Sequence, residues 1–161
     1  MSKTLSVRRR LPQSPDQVLR LLMAPEFLVA RHEADGAREV QVREVSRDGA
    51  RVVQEVIVQE PAHTMTGVDA DRLVQAVTTY EWDLAARRGR WSYLGPHGKM
   101  IRLGGEFHVD PDGTGAVFRA DFEVTVRVPL LGSRIEKRII DEIQAGQPKV
   151  DALVEEHLRG R

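Results

Sequence analysis

The spacing of apolar residues changes near Pro129, from every second residue to about every fourth. In residues 116–128, apolar and charged side chains alternate, which is typical of a β-strand with one buried face. After Pro129, apolar residues recur at Leu131, Ile135, Ile139 and Ile143 and continue to Leu158, which is typical of an amphipathic helix. The chain is therefore predicted to end with a strand followed by one long helix.

The segments before this change predict further strands and two short helices. Residues 5–11 alternate as a strand, and the sequence Ser14-Pro15-Asp16-Gln17 has the form of a capping box that begins a helix. A second short helix is predicted to begin at Pro25. Further strands are expected at 40–48, 51–60, 73–86, 90–94 and 100–110.

Individual residues within the predicted strands and turns lead to four local predictions. Asp48-Gly49 is predicted to form a hairpin turn, and the broken alternation between Val42 and Val45 predicts a β-bulge near Arg43-Glu44. Pro61 is predicted to end a strand, so that residues 62–71 form a turn-like segment. Gly104-Gly105 within a strand is expected to mark a bend or a close approach.

Consecutive strands joined by short turns predict an antiparallel sheet. One sheet face is apolar, and the C-terminal helix is the element long enough to cover it. The predicted fold is α+β: a curved antiparallel sheet of six to seven strands around a long C-terminal helix, with two short helices after strand 1. Residues 1–161 are expected to form one domain, and Pro148 within the helix is expected to kink it.

Composition excludes several classes of function. The 161 residues contain 24 basic and 24 acidic side chains and no cysteine, which excludes disulfides and thiolate chemistry. The zero net charge gives no overall electrostatic preference for nucleic acid or an anionic membrane. No segment is apolar enough for a signal peptide or stable membrane insertion, so a cytoplasmic location is expected.

An aromatic cluster is the strongest candidate for a binding site. Tyr80, Trp82, Trp91, Tyr93 and Phe107 fall on neighbouring predicted strands with consistent parity. They form either ordinary core packing or the wall of an apolar cavity, in which the tyrosine hydroxyls and indole N–H groups would be the polar contacts. The remaining cavity candidates are Thr78, His63, Met65, Ile139 and Ile143.

No pattern in the sequence identifies a reaction. The five histidines have no metal-ligand spacing, and no phosphate-binding or nucleophile motif is present, so neither a metal nor a cofactor is predicted. The arginine runs are interspersed with acids, so nucleic-acid binding is not expected. Glu106, Asp121 and Glu123 have outward parity, so no buried acid for acid catalysis is expected.

Several segments resemble the START-like, or polyketide-cyclase-like, helix-grip superfamily, and more narrowly a bacterial START-like family of uncharacterised function. The resemblance covers nearly the whole chain and depends on these segments: Leu11-Pro12-Gln13-Ser14-Pro15-Asp16-Gln17-Val18, Ala24-Pro25-Glu26-Phe27, Thr79-Tyr80-Glu81-Trp82, Trp91 with Gly95, and Val128-Pro129-Leu130-Leu131-Gly132-Ser133-Arg134-Ile135-Glu136-Lys137. It implies a deep apolar cavity between the sheet and the helix, and it transfers no catalytic residue.

The resulting hypothesis is a non-enzymatic protein that binds a small apolar ligand, lipid-like or polyketide-like. Two alternatives stay open: an enzyme of cyclase or dehydratase type, and a protein-interaction module similar to a chaperone activator. The enzyme requires a polar group inside the cavity, whereas the interaction module requires a large exposed apolar patch. The sequence does not specify an oligomeric state.

Overall fold

The computed structural model describes residues 2–64 and 67–159. In these residues, seven strands form one antiparallel sheet in the order β1-β7-β6-β5-β4-β3-β2. The strands are β1 (Ser2–Leu11), β2 (Glu39–Asp48), β3 (Arg51–Thr64), β4 (Gly67–Asp83), β5 (Arg88–Leu94), β6 (Ile101–Asp112) and β7 (Gly115–Val126). The helices are α1 (Pro15–Met23), α2 (Pro25–Ala34) and α3 (Gly132–Arg159), with one turn of 3₁₀ helix at Gly98–Met100.

This architecture confirms the predicted α+β helix-grip fold. Strands β2 to β7 follow one another as antiparallel neighbours, and β1 pairs with β7 at the far edge of the sheet. The capping box at the start of α1 is present, with Ser14 accepting from the Gln17 backbone N–H and the Gln17 side chain accepting from the Ser14 N–H. Gly49 has the positive φ that the β2–β3 turn requires.

The β3–β4 hairpin corrects the prediction that Pro61 ends a strand. β3 continues to Thr64, and β4 begins at Gly67 rather than at Leu73. The pairing register shifts between Pro61 and Ala62, and this irregularity accommodates a residue that has no N–H to donate. The predicted β-bulge is present one residue beyond its expected position, between Glu44 and Ser46.

Gly105 lies where β6 and β7 approach closely. A Cβ atom at this position would lie 1.7 Å from the backbone oxygen of Asp121. Only glycine fits such a position without displacing backbone. The close approach predicted at Gly104-Gly105 is therefore confirmed.

The packed core occupies only one half of the space between the sheet and α3. There, Val150, Val154 and Leu158 of α3 are buried with α1, α2 and the sheet. No residue of the segment 137–149 is buried, although this segment spans the middle of α3. The other half of the interior is therefore available for a cavity.

Two polar contacts hold α3 at its ends. Near the N-terminus, the buried carboxylate of Glu136 accepts a hydrogen bond from the backbone N–H of Val126 at 2.9 Å. In the C-terminal half, Arg9 of β1 forms an ion pair with Asp151 at 2.7 Å and another with Glu155. Between these contacts, α3 crosses the open side of the sheet.

Candidate functional site

A cavity of about 860 Å³ lies between the concave face of the sheet and the middle of α3. Strands β3 to β7 form its floor, the C-terminal turn of α2 closes one side, and the β5–β6 loop and α3 form the remaining walls. Its α3 wall includes Ile135, Ile139, Ile143 and Gly146. The cavity is therefore where the alternation of the strands and the apolar stripe of α3 face each other.

Three aromatic rings form a nearly parallel row on the cavity floor. The ring centroids of Tyr80 and Phe107 are 6.2 Å apart with planes 15° apart, and those of Phe107 and Trp91 are 6.3 Å apart with planes 17° apart. The rings come from β4, β5 and β6, whose pairing places side chains of the same parity next to one another. All three residues line the cavity, although Tyr80 and Phe107 are themselves largely buried.

The structure places eight of the ten candidate residues in the cavity lining, and whether they contact a ligand stays a prediction. They are His63, Thr78, Tyr80, Trp91, Tyr93, Phe107, Ile139 and Ile143. Met65 lies outside the described residues. Trp82 is buried but does not line the cavity, because its ring covers Gly89 and its indole N–H donates to Gln54 at 2.9 Å.

The indole N–H groups are not available to a ligand. That of Trp82 is bonded to Gln54. That of Trp91 is buried without a hydrogen-bond partner among the described residues, and it lies 3.1 Å from where a Cβ atom of Gly105 would be. The polar contacts inside the cavity are therefore supplied by other groups.

His32 and Tyr80 form the first polar pair of the cavity. The His32 Nε2 and Tyr80 Oη atoms are 3.1 Å apart, and both residues line the cavity. Burial, together with the positive charge of Arg31, lowers the pKa of His32 to about 4, so its imidazole is neutral near pH 7. Burial raises the pKa of Tyr80, so the pair is a neutral imidazole and a neutral phenol.

Tyr93 and Glu60 form the second polar pair. The Tyr93 hydroxyl donates to the Glu60 carboxylate at 2.6 Å. Burial raises the pKa of the Tyr93 phenol, and the adjacent Glu60 carboxylate raises it further. This pair places a carboxylate with a phenol beside the aromatic row.

His32 and Glu60 were not among the predicted site residues, although each had a local signal in the sequence. His32 lies four residues after buried Leu28, on the same face of α2. Glu60 has the same parity as buried Val56 and Val58.

Glu136 is a buried acid that the sequence did not indicate, since it is only 1% exposed, and it is not among the residues that line the cavity. Glu136 follows Gly132 by one turn of α3, and both residues are buried against the end of β7. Glu136 was missed because it does not belong to the apolar stripe of α3 from which buried positions were predicted.

Charged side chains border the cavity near the end of α2 and along α3. Arg31 lies over the Phe107 ring, with its guanidinium carbon 5.8 Å from the ring centroid. Burial raises the pKa of Asp35, while the positive charges of Arg31 and Lys149 oppose this increase. The lining also includes Arg138 and Glu142 of α3, so the cavity has an apolar floor and a charged border.

The opposite face of the sheet carries a group of potential metal ligands. Glu106, His108 and Asp121 each offer one ligand atom, and these atoms lie within 4.8 Å of one another. Both carboxylates also face arginines, Arg90 at 3.6 Å from Glu106 and Arg119 at 3.4 Å from Asp121. This arrangement has the form of an ion-pair network across the strands and is separate from the cavity.

Comparison with solved structures shows the same fold over nearly the whole chain. TTHA0849 from Thermus thermophilus is 23% identical, with 98% of each chain covered and a TM-score of 0.65. The ZhuI aromatase/cyclase from Streptomyces sp. R1128 is 12% identical, with 100% of this chain and 97% of that chain covered and a TM-score of 0.65. Norcoclaurine synthase from Thalictrum flavum, in complex with dopamine and hydroxybenzaldehyde, is 14% identical, with 100% and 89% covered and a TM-score of 0.66.

These structures confirm the resemblance to START-like helix-grip proteins. Comparison with curated protein sequences finds no match. No helix among the described residues is long and apolar enough to cross a membrane. The model of the DUF2505 family, which is described as a protein of unknown function, matches residues 6–158, and the chain therefore belongs to the DUF2505 family.

Proposed function

We propose that this protein binds a small apolar molecule, lipid-like or polyketide-like, in the cavity between the sheet and α3. The observation that carries the proposal is the cavity of about 860 Å³ with the parallel aromatic row on its floor. Cavities that hold small molecules are typically about 300–1,000 Å³, mostly apolar and equipped with a few polar groups. The His32–Tyr80 and Tyr93–Glu60 pairs are such groups.

The comparisons support this proposal at the level of the fold. Similar structures include an aromatase/cyclase and a synthase in complex with dopamine and hydroxybenzaldehyde, and the names of both indicate aromatic chemistry. In this chain, the aromatic row favours a ligand with a planar portion, and Ile139 and Ile143 of α3 would cover its opposite side.

Gly146 allows a direct test, because a Cβ atom there would meet nothing within 4 Å and the residue lines the cavity. We expect Gly146→Phe to fill part of the cavity and to weaken binding of the neutral fluorescent probe N-phenyl-1-naphthylamine at least roughly tenfold. The matched control is Ala145→Phe, which adds the same ring at an exposed neighbouring position of α3. Equal probe affinity for the two variants, or no probe binding to the unmodified protein, would refute the proposal.

Native mass spectrometry addresses the identity of the cargo. Protein purified from its own host is expected to carry a bound small molecule. Unfolding should release this molecule, and its mass can then be measured. The Gly146→Phe variant is expected to carry less of it than the Ala145→Phe control.

A second candidate function, an enzyme of cyclase or dehydratase type, is favoured by the polar pairs that line the cavity. Such chemistry needs groups that donate and accept protons next to a bound apolar substrate, and His32, Tyr80, Tyr93 and Glu60 are placed there. Loss of one water from a linear polyketone, measured by mass spectrometry, would indicate the enzyme. Tyr80→Phe and Tyr93→Phe should then abolish this mass change while probe binding persists, whereas unchanged turnover in both variants would refute a role for these phenols.

A further inference from the structure

The charges of this chain balance overall but not at one end of the cavity. Residues 94–102 and 127–138 contain six basic side chains, at Lys99, Arg102, Arg127, Arg134, Lys137 and Arg138, and one acidic side chain, at Glu136. Glu136 is buried and bonded to the Val126 N–H, so it does not face solvent. Of the six cations, only Lys137 forms an ion pair among the described residues, with Asp141 at 2.7 Å.

These two segments lie side by side at the edge of the cavity. The backbone N–H of Arg127 donates to the carbonyl oxygen of Met100 at 2.7 Å, and Ile101 pairs with Val126. Both segments also contribute to the cavity lining, Met100 from one and Arg138 from the other. We refer to residues 94–102 and 127–138 together as the basic rim.

Three large apolar side chains project from the basic rim into solvent. Leu94, Met100 and Leu130 are 59%, 50% and 101% exposed. Because burial of apolar surface drives folding, side chains as exposed as these contribute little to the stability of the isolated protein.

Two features of the basic rim oppose folding stability. Leu130 has a φ of +66°, in the left-handed region that is unfavourable for a leucine, and it makes no packing contact that compensates. Arg134 lies in the first turn of α3, where a positive charge is unfavourable next to the N-terminal end of the helix dipole. Residues that break local rules without a compensating contact are expected at functional sites.

We propose that the basic rim docks on an anionic lipid bilayer, with Leu94, Met100 and Leu130 entering the interfacial layer and the cations contacting headgroups. Basic side chains next to apolar ones are the combination that binds such a surface. Single-stranded nucleic acid fits less well, because neither segment contains Phe, Trp or Tyr on which bases could stack. Docking would place the part of the cavity lined by Met100 and Arg138 next to the bilayer, and the inference that cargo is exchanged there rests on the proposed function.

The test is co-sedimentation of the full chain with vesicles. Vesicles of phosphatidylcholine containing roughly 30 mol % phosphatidylglycerol are expected to bind the protein. Pure phosphatidylcholine vesicles are expected to bind it at least roughly tenfold more weakly, and added salt should weaken binding to the anionic vesicles. Absence of binding to anionic vesicles, or equal binding to both compositions, would overturn the proposal.

Substitutions test the cations and the exposed apolar side chains of the basic rim separately. Arg127→Gln combined with Arg134→Gln is expected to weaken binding to anionic vesicles at least roughly tenfold, while Arg8→Gln on exposed β1 is the charge control. Leu130→Gly is expected to weaken binding several-fold and to raise the melting temperature, because glycine tolerates the positive φ. Val45→Ser is its control at an exposed apolar position far from the rim. Binding equal to that of the unmodified protein in both rim variants would refute docking through this surface.

Probe binding in solution distinguishes this proposal from the proposed function. The rim variants are expected to bind N-phenyl-1-naphthylamine with unchanged affinity when no vesicles are present. Vesicle binding without probe binding would leave docking intact and refute the cavity proposal, whereas probe binding without vesicle binding would refute docking alone.

Discussion

At the scale of single residues, buried polar groups set the chemistry of the interior. Glu136 satisfies the backbone N–H of Val126, which would otherwise be left unpaired where β7 ends. Gln54 has a similar role, since it accepts from the Trp82 indole and donates to the carbonyl oxygen of Met23 at 2.9 Å. Each of these side chains links a strand to a neighbouring element, so their loss affects packing as well as polarity.

Glu136→Ala is expected to lower the free energy of unfolding by about 2–3 kcal/mol, because it leaves the Val126 N–H without its charged acceptor. Glu136→Gln retains an acceptor oxygen, so its free energy of unfolding should fall by less than that of Glu136→Ala. Equilibrium urea unfolding measures both variants. Glu156→Ala, at an exposed position of α3, is the control and should change stability by less than about 0.5 kcal/mol. Equal losses for Glu136→Ala and Glu156→Ala would show that the hydrogen bond contributes little.

His32 predicts a dependence of stability on pH. Its pKa is lowered to about 4 in the folded protein, from 6.5, so the unfolded chain binds the proton more tightly. The contribution of His32 to stability is therefore complete above pH 6.5 and is lost as the pH falls toward 4, by up to roughly 3 kcal/mol.

NMR titration of the His32 ring protons measures this pKa directly, and urea unfolding at several pH values measures the loss of stability. His32→Gln should show a smaller loss over the same pH range. Titration of His32 near 6.5 would contradict the assignment of a buried, neutral imidazole.

At the scale of elements, α3 determines the size of the cavity. Its ends are fixed by Glu136 and by the ion pairs of Arg9, while no residue of its middle segment, 137–149, is fully buried and Ile143 packs against the core only in part. Pro148 lies inside α3, which runs as one α-helix from Gly132 to Arg159, and the kink expected at this residue stays a prediction. Pro148 nevertheless cannot donate a backbone hydrogen bond to Gln144, so the helix is weakened next to the cavity.

Pro148→Ala is expected to raise the free energy of unfolding by about 1–3 kcal/mol, because alanine restores the missing hydrogen bond in α3. Thermal and urea unfolding measure the change. Gln144→Ala is the control, because it alters an exposed side chain in the same turn and leaves the backbone bonding unchanged. A loss of stability in Pro148→Ala would indicate that proline is required for the path of α3.

At the scale of the whole molecule, the interior is divided into a packed half and a hollow half. The helices α1 and α2 and the C-terminal half of α3 enclose the packed half. The hollow half lies below the middle of α3, and its lining includes Met100 and Arg138 of the basic rim. Because the cavity is not filled by side chains, a ligand that occupies it would supply contacts that the folded chain lacks.

Ligand binding is therefore expected to stabilise the protein. N-phenyl-1-naphthylamine at a free concentration of about ten times its Kd should add about 1.4 kcal/mol, which corresponds to an increase in Tm of about 3–6 °C for a chain of this size. Differential scanning calorimetry measures this shift. The Ala145→Phe control should retain it and Gly146→Phe should lose most of it, whereas an equal shift in both would place the probe outside the cavity.

The sequence by itself determined the order of elements, the inward parity of the aromatic residues and the apolar stripe of α3. These are local properties, because side chains alternate every two residues in a strand and repeat every 3.6 residues in a helix. The aromatic row follows from this parity once neighbouring strands pair in register, as Tyr80 and Trp91 do. Pro61 was misjudged because a bulge, which depends on the partner strand, allows proline inside β3.

Only the tertiary structure decided which groups meet across the interior. His32 and Tyr80 are 48 residues apart and Tyr93 and Glu60 are 33 residues apart, so neither pair has a local signature. The basic rim is likewise hidden in a chain of zero net charge, because the two segments become neighbours only when β6 pairs with β7. Periodicity reports which face a residue occupies, whereas contacts between distant residues depend on how whole elements pack, and this is why the tertiary structure alone assembled the cavity and its rim.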